Sequence, residues 1–333
     1  MQFADMISVV VCTYNQAETI GRTLDSILRQ HCSWPIEIII GEDCSTDATR
    51  SICEEYAQRF PQQIRLFCNE QNKGLLNNYY DCLLQAKGKY IADLAGDDEW
   101  CDTYKLEKQL EILEQHEDVV LVHTDYRLCD NQNNYRLAPF NVSHRGIVDG
   151  TTLTTSILTQ LRRPVVHLCT AMYRNETFRR CYDAHQDLFR NPSYPCEDLQ
   201  LCALLSRYGR FAYIDAITLN YNTGLSLSKT EDDIRQFGFV QKVTQLSYDI
   251  QQRLQLPTDD RLQQYYGYRV YALLMHAFRA HRPDLRDRAQ KSAHQWQAQT
   301  GLRTRLLLAI TSNHLFWTIA LSLRKQLLKL RSN

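Results

Sequence analysis

Lys89-Tyr90-Ile91-Ala92-Asp93-Leu94-Ala95-Gly96-Asp97-Asp98-Glu99-Trp100 decides how this chain is read. The run through Leu94 has the character of a buried strand, and two adjacent carboxylates stand just past its end. Like charges this close each disfavour the other's ionised form. A cation held between them removes the conflict, and Mg²⁺ in particular takes one or two carboxylates together with substrate phosphates. A solvated Asp-Asp turn capping the next helix fits the same spacing, so the pair alone leaves both readings open.

The residues upstream repeat one pattern. Ile7–Cys12 is a short β-branched run suited to a strand buried on both faces, and Ala17 to Gln30 has helical spacing through Ile20, Leu24, Ile27 and Leu28. Ile36–Gly41 predicts a second strand, with a helix from about Asp47 to Phe60 capped by Ser45 or Thr46. Ile64–Cys68, Leu75–Ala86 and Tyr90–Leu94 continue the alternation as strand, helix, strand. Such alternation implies a parallel sheet wrapped by helices, and ligands of such sheets bind beyond the carboxyl ends of the strands. Thr13-Tyr14-Asn15, Glu42-Asp43 and Asp97-Asp98 all fall at that edge.

Downstream, Leu106, Leu110 and Leu113 mark a helix and Val119–His123 a strand, with His123 read as core. Arg127 to Gly150 is polar and weakly patterned, as in a surface excursion. Val165 to Tyr173 looks like a strand, Glu197-Asp198 opens a helix, and Phe211–Ile214 and Ile217–Leu219 look like the last two strands. Beyond Ser228 the pattern is helical only, broken near Pro257 and Pro283, which predicts domains at 1–227 and 228–333.

Composition sets the class. At 44% hydrophobic and 23% charged the chain is ordinary globular protein, and 38 basic against 38 acidic residues leave no global field to recruit nucleic acid. None of the twelve cysteines forms Cys-x-x-Cys or a zinc-type spacing with histidine, so reduced thiols and a cytoplasmic protein are expected. The N-terminus runs almost at once into a strand, which argues against a signal peptide.

Val9-Val10-Val11-Cys12-Thr13-Tyr14-Asn15, Gly41-Glu42-Asp43-Cys44-Ser45-Thr46-Asp47, Asn72-Lys73-Gly74, Gly88-Lys89-Tyr90-Ile91, Gly96-Asp97-Asp98 and Glu197-Asp198 follow one another in the order and spacing of family 2 glycosyltransferases. The chain resembles the bacterial members that build surface polysaccharides, above all in Gly96–Trp100 followed by Lys105-Leu106 and Gln109. The resemblance covers about Met6 to Ser226 and implies the GT-A fold, a Rossmann-like mixed and mostly parallel sheet flanked by helices, with an all-helical extension after it. It implies an inverting transfer of sugar from a nucleotide donor, UDP-linked by expectation, to a glycan or lipid-linked acceptor. Thr13, Tyr14 and Asn15 would line the nucleotide pocket, with Tyr14 on the base. Asp43 would accept the base imide hydrogen, Lys73 and Asn77 or Asn78 would help hold the nucleotide, and Asp97 would lie near the ribose. Asp98 would coordinate the Mn²⁺ or Mg²⁺ that bridges the diphosphate, and Asp198 would be the general base.

Each role has a plain structural counterpart. Asp43 could cap the helix that follows, Tyr14 could pack, and Glu197 and Asp198 could be first-turn acids favoured by the helix dipole. Glu197 is read as support for Asp198. His167 either faces the acceptor or is a satisfied core residue, and Trp100 either walls the sugar or packs its loop. Relatives often carry a histidine in a Tyr-Arg-x-His element that adds a metal contact; here Tyr221-Asn222-Thr223-Gly224 has glycine in its place, so the cation would rest on Asp98, phosphates and water. Two rivals remain at this point. A nucleotidyltransferase would need a basic, glycine-rich loop after the first strand, which Thr13–Gln16 is not. A catalytically inactive nucleotide-sugar-binding protein is the other.

After Asp287 no acidic residue follows. A single helix over 302–330 would gather Thr311, His314, Thr318, Ser322, Lys325 and Lys329 on a narrow polar stripe and leave the rest apolar with basic flanks. That pattern suits an interfacial helix at the inner face of the cytoplasmic membrane, or one docked on protein.

Overall fold

The computed structural model describes residues 3–130, 134–137, 145–160, 165–223 and 232–332, with the side chains of 325 and 328–332 left aside. By internal contacts the chain divides into two units, Met1–Pro192 with Cys196–Ser226, and Ser193–Pro195 with Leu227–Asn333. Gly224, the position of the expected histidine, lies outside the described residues.

The first unit begins as anticipated: β1 (Ala4–Thr13), α1 (Ile20–Leu28), β2 (Ile36–Glu42), α2 (Thr49–Arg59), β3 (Ile64–Cys68), α3 (Leu75–Leu83) and β4 (Gly88–Asp93). β5 (Glu99–Trp100), α4 (Lys105–Gln115), β6 (Val119–Cys129), β7 (Tyr135–Leu137), β8 (Gly146–Asp149) and α5 (Thr154–Leu158) follow. β9 (Met172–Arg174), α6 (Asn175–Ala184), α7 (Gln186–Phe189), α8 (Asp198–Leu205) and β10 (Arg210–Asn222) complete it. The strands form one sheet in the order β3-β2-β1-β4-β9-β6-β10-β5, with β7 on β6 and β8 on β10. The long ladders β1–β2, β1–β4, β2–β3 and β6–β10 are parallel. The short ones made by β5, β7, β8 and β9 are antiparallel. Ile7, Val9, Val11, Ile38, Ile40 and Ala92 are buried against Ile20, Leu24 and Ile27 of α1 in one core, as continuous apolar strands covered on both faces require.

Several expectations change. Arg127–Gly150 is no simple excursion, because β6 runs on to Cys129 and β7 and β8 pair with the sheet. Val165–Tyr173 is a 3₁₀ turn, Leu168–Thr170, leading into the three-residue β9. The two last strands are one, β10, whose pairing to β6 slips between Tyr213 and Ile217 and then resumes. Neither Ser45 nor Thr46 caps α2; the N-cap position is Ala48, and the Asp47 carboxylate just before it accepts from the Thr49 amide at 2.9 Å.

The second unit is helical: α9 (Asp233–Arg253), α10 (Asp260–Ala280), α11 (Pro283–Gln295), α12 (Leu302–Ser312) and α13 (His314–Ser332). Its own core gathers Phe237, Tyr266, Val270, Leu273, Trp296 and Trp317. The single helix expected over 302–330 is broken at Asn313, where the chain bends by 116°. Thr311, assigned to the polar stripe, is buried.

Candidate active site

Parallel pairing carries the carboxyl ends of β1, β2, β4, β6 and β10 to one edge. There the turn after β4 folds over the end of β1. Gly96 permits this, since a Cβ on it would come within 2.8 Å of Thr13 Oγ1. Thr13 is buried and its hydroxyl donates to Gln16 Oε1 at 2.9 Å. Asn15 adopts a left-handed conformation (φ 52°), and its side-chain oxygen accepts from the Thr46 amide at 2.8 Å, lacing the β1 turn to the β2 turn. Tyr14 stays 46% exposed, free of the core packing that was its alternative.

Asp43 caps no helix. Its carboxylate takes the Lys73 amide at 2.8 Å, the Gly74 amide at 2.9 Å and the Asn69 side-chain amide at 2.9 Å. The Asn72–Gly74 stretch is therefore wrapped around it, with φ 78° at Gly74. The Lys73 ammonium turns to Asp81 at 3.0 Å, the Asn78 side-chain amide donates to the Gly41 carbonyl at 2.8 Å, and the Asn77 side-chain amide donates to the Lys73 carbonyl at 3.2 Å.

Asp97 and Asp98 occupy the turn into β5. Asp98 is buried, and its Oδ1 accepts from the Asn222 amide of β10 at 2.8 Å. Its Oδ2 is buried without a hydrogen-bond partner. Burial, then the adjacent Asp97 charge, push the Asp98 carboxyl well above the usual carboxylate range, against the pull of the Asn222 amide and the Cys169 thiol. Burial raises Asp97 too, although Arg22 and Gln16 oppose it. A buried carboxylate oxygen with nothing to bind is a donor suited to a hard cation. Among the described residues no three His, Cys, Asp or Glu side chains converge closely enough to hold a cation alone, so phosphates and water would complete its shell.

Glu197 and Asp198 open α8, where burial raises both carboxyls; the Asp198 charge raises Glu197 further, while the Cys196 thiol and the Leu199 amide hold Asp198 back. The Glu197 carbonyl accepts from the Tyr80 hydroxyl at 2.9 Å, fixing the start of α8 to α3. Both Glu197 and Asp93 bear electrostatically on the Cys12 thiol, which puts α8 at the same ends of β1 and β4. Asp93 escaped the sequence reading, although a lone acid inside an apolar strand was its signal. It is fully buried, accepts from the Tyr79 hydroxyl at 2.8 Å, and is raised to about 7 by desolvation.

Trp100 is core: 2% exposed, its indole nitrogen donates to the Cys169 carbonyl at 2.8 Å. The ammonium of buried Lys105 lies 4.2 Å from the centre of its ring and donates to Gln109 at 2.7 Å. Gln109 in turn donates to the carbonyls of Val122 and Thr170, which explains the Lys105-Leu106-x-x-Gln109 pattern as a strut beneath the acidic turn. His167 is half-buried, with Tyr126 and Tyr221 each 4.7 Å away between ring centres. His123 packs on Tyr213 in the core.

A sequence model described as Glycosyl transferase family 2 matches residues 8–181, more than half of the chain. The chain belongs to that family. The matched residues carry the β1, β2 and β4 edge with Asp97 and Asp98, and end before Glu197-Asp198. The putative glycosyltransferase EpsE of Bacillus subtilis is 36% identical over 131 residues, 39% of this chain and 46% of that one. A protein of Escherichia coli, WfgD, named as a UDP-Glc:α-D-GlcNAc-diphosphoundecaprenol β-1,3-glucosyltransferase, is 29% identical over 129 residues, 38% and 48% of the two chains. The chain thus spans about a third to a half of the length of the first curated relatives it matches. The mannosyltransferase PcManGT of Pyrobaculum calidifontis, solved with GDP-Man and Mn²⁺, has a similar fold at a TM-score of 0.54 and 14% identity, over 96% of this chain and 87% of that one.

Proposed function

We propose that the chain is a metal-dependent, inverting glycosyltransferase acting in bacterial surface polysaccharide synthesis, with its catalytic domain at 1–227. It moves a sugar from a UDP-linked donor to a glycan or lipid-linked acceptor. The observation that carries this reading is the buried, partnerless Oδ2 of Asp98 beside Asp97, at the edge where parallel sheets bind ligands. Asp98 with the donor's phosphates and water would hold Mn²⁺ or Mg²⁺, which when bound neutralises charge on the departing nucleoside diphosphate.

Thr13, exposed Tyr14 and Asn15 line the nucleotide side, with Asp43 holding Lys73 and Gly74 against it; Asp97 faces the ribose. Asp198 accepts the acceptor's hydroxyl proton as that oxygen bonds to the anomeric carbon and the bond to the diphosphate breaks. Burial raises its carboxyl above the usual carboxylate range, which makes it a stronger proton acceptor than a solvated aspartate. His167 with Tyr221 offers ring surface to the acceptor, and Trp100 and Glu197 support the acids from behind. The UDP and lipid-linked assignments draw on WfgD's name, and a lipid-linked acceptor puts the work at the inner face of the cytoplasmic membrane.

The test is Mn²⁺-dependent release of nucleoside diphosphate from a panel of nucleotide sugars. Release from one UDP-sugar, lost in Asp98→Ala and Asp198→Asn, supports the proposal. Nucleotide binding without turnover, even with membrane extract supplied as acceptor source, overturns it in favour of a binding protein.

A further inference from the structure

The break at Asn313 divides the end of the chain into two helices, each with an inner and an outer face. On the inner side Thr304, Leu307, Thr311 and Trp317 are buried, and the Trp317 indole donates to the Phe278 carbonyl at 3.0 Å. The outer side is apolar and uncovered: Leu306, Leu315, Phe316, Ile319, Leu323 and Leu327 are each at least 48% exposed. Phe316, Ile319, Leu323 and Leu327 follow at steps of three and four, one face of α13. So the helices already have their protein partner on one side, and a second apolar row is left over. Charge narrows what covers it. In a chain of balanced charge, the segment from Leu302 onward holds Arg303, Arg305, Arg324, Lys325, Lys329 and Arg331 and no acid. A second copy laid on this surface would bring like charges together, whereas an anionic lipid surface complements them. No single helix among the described residues is long and apolar enough to cross a membrane, and in the bent pair one face is already taken by protein, which suits helices lying in the interface better than a span.

We infer that the outer face of α12 and α13 is an interfacial membrane anchor, with Leu315, Phe316, Ile319 and Leu323 entering the acyl boundary and Arg303, Arg305 and Arg324 meeting anionic headgroups. Its use to a lipid-linked acceptor rests on the function proposed above; its geometry does not.

Flotation of the full chain with vesicles of phosphatidylcholine containing phosphatidylglycerol, against phosphatidylcholine alone, tests this. The expected result is binding to the anionic vesicles that weakens with added salt. The triple variant Phe316→Ser, Ile319→Ser, Leu323→Ser should lower it roughly tenfold or more. A second variant, Arg303→Gln, Arg305→Gln, Arg324→Gln, should erase the preference for anionic lipid. Both should keep the wild-type unfolding temperature and its donor hydrolysis in the absence of vesicles. Absence of wild-type binding, binding indifferent to both variants, or a wild-type dimer that the triple variant dissolves without any vesicle binding would each overturn the anchor. Vesicle binding by a chain that hydrolyses no donor would leave the anchor standing and remove the transferase.

Discussion

Asp98 buries a carboxylate whose Oδ1 is held by the Asn222 amide and whose Oδ2 has no hydrogen-bond partner, with the Cys169 thiol beside the group. Asp98→Asn keeps the shape and removes the charge, so affinity for Mn²⁺ in the presence of UDP should fall at least about tenfold by titration calorimetry. Unchanged affinity would remove Asp98 from the cation site. Asp93 makes a separate prediction, about stability. Its carboxyl is raised to about 7 by burial, so the folded protein keeps a proton that the unfolded chain has already lost. Stability should therefore fall as pH rises from the ordinary carboxylate range towards 7. Asp93→Asn should flatten that fall, removing a penalty on the order of 4 kcal/mol at pH 8. Lys105, lowered to about 7 by burial, acts in the window above, where its contribution rises with pH. Denaturant titrations of wild type and variant from about pH 5 to about pH 8 check the sign; parallel curves would mean that Asp93 is ionised throughout.

Among the elements, the stretch that closes on Asp43 depends on one carboxylate. With three donors from Asn69, Lys73 and Gly74 converging there, Asp43→Ala should speed amide exchange at Lys73 and Gly74 and weaken nucleotide binding. Exchange rates equal to wild type would show that the stretch holds itself. Asn313 does the same for the break between α12 and α13: its Oδ1 accepts from the Leu315 amide at 2.9 Å and the Phe316 amide at 3.3 Å. Asn313→Ala removes this cap and should cost about 1 kcal/mol in denaturant unfolding. No loss would mean that the packing of Trp317, rather than the cap, sets the bend.

For the whole molecule, ligand binding and folding are linked. UDP with Mn²⁺ at roughly one hundred times its dissociation constant should stabilise wild type by about 2.7 kcal/mol, read as a rise in unfolding temperature. The same additions should leave Asp98→Ala unmoved, and an equal rise in both would detach nucleotide binding from the acidic turn.

How far the sequence reached follows from the range of the forces involved. Strand and helix alternation from Ile7 to Asp93 was legible because local periodicity and burial agree there, and parallel order then brings the ends of β1, β2 and β4 to one edge. The family motifs lie on those ends, so they too could be read in order. What tertiary structure decided lies where pairing is remote or a single side chain redirects the backbone. β9 is a strand only because β4 and β6 flank it, and the slip in β10 hides within one ladder. Trp100 and Asp43 gain their surroundings from Cys169, Lys73 and Gly74, residues no spacing rule connects to them. The apolar row after Leu302 was plain in the sequence. Which part of it stays uncovered was settled by Asn313 turning the chain and Trp317 fastening one face inward.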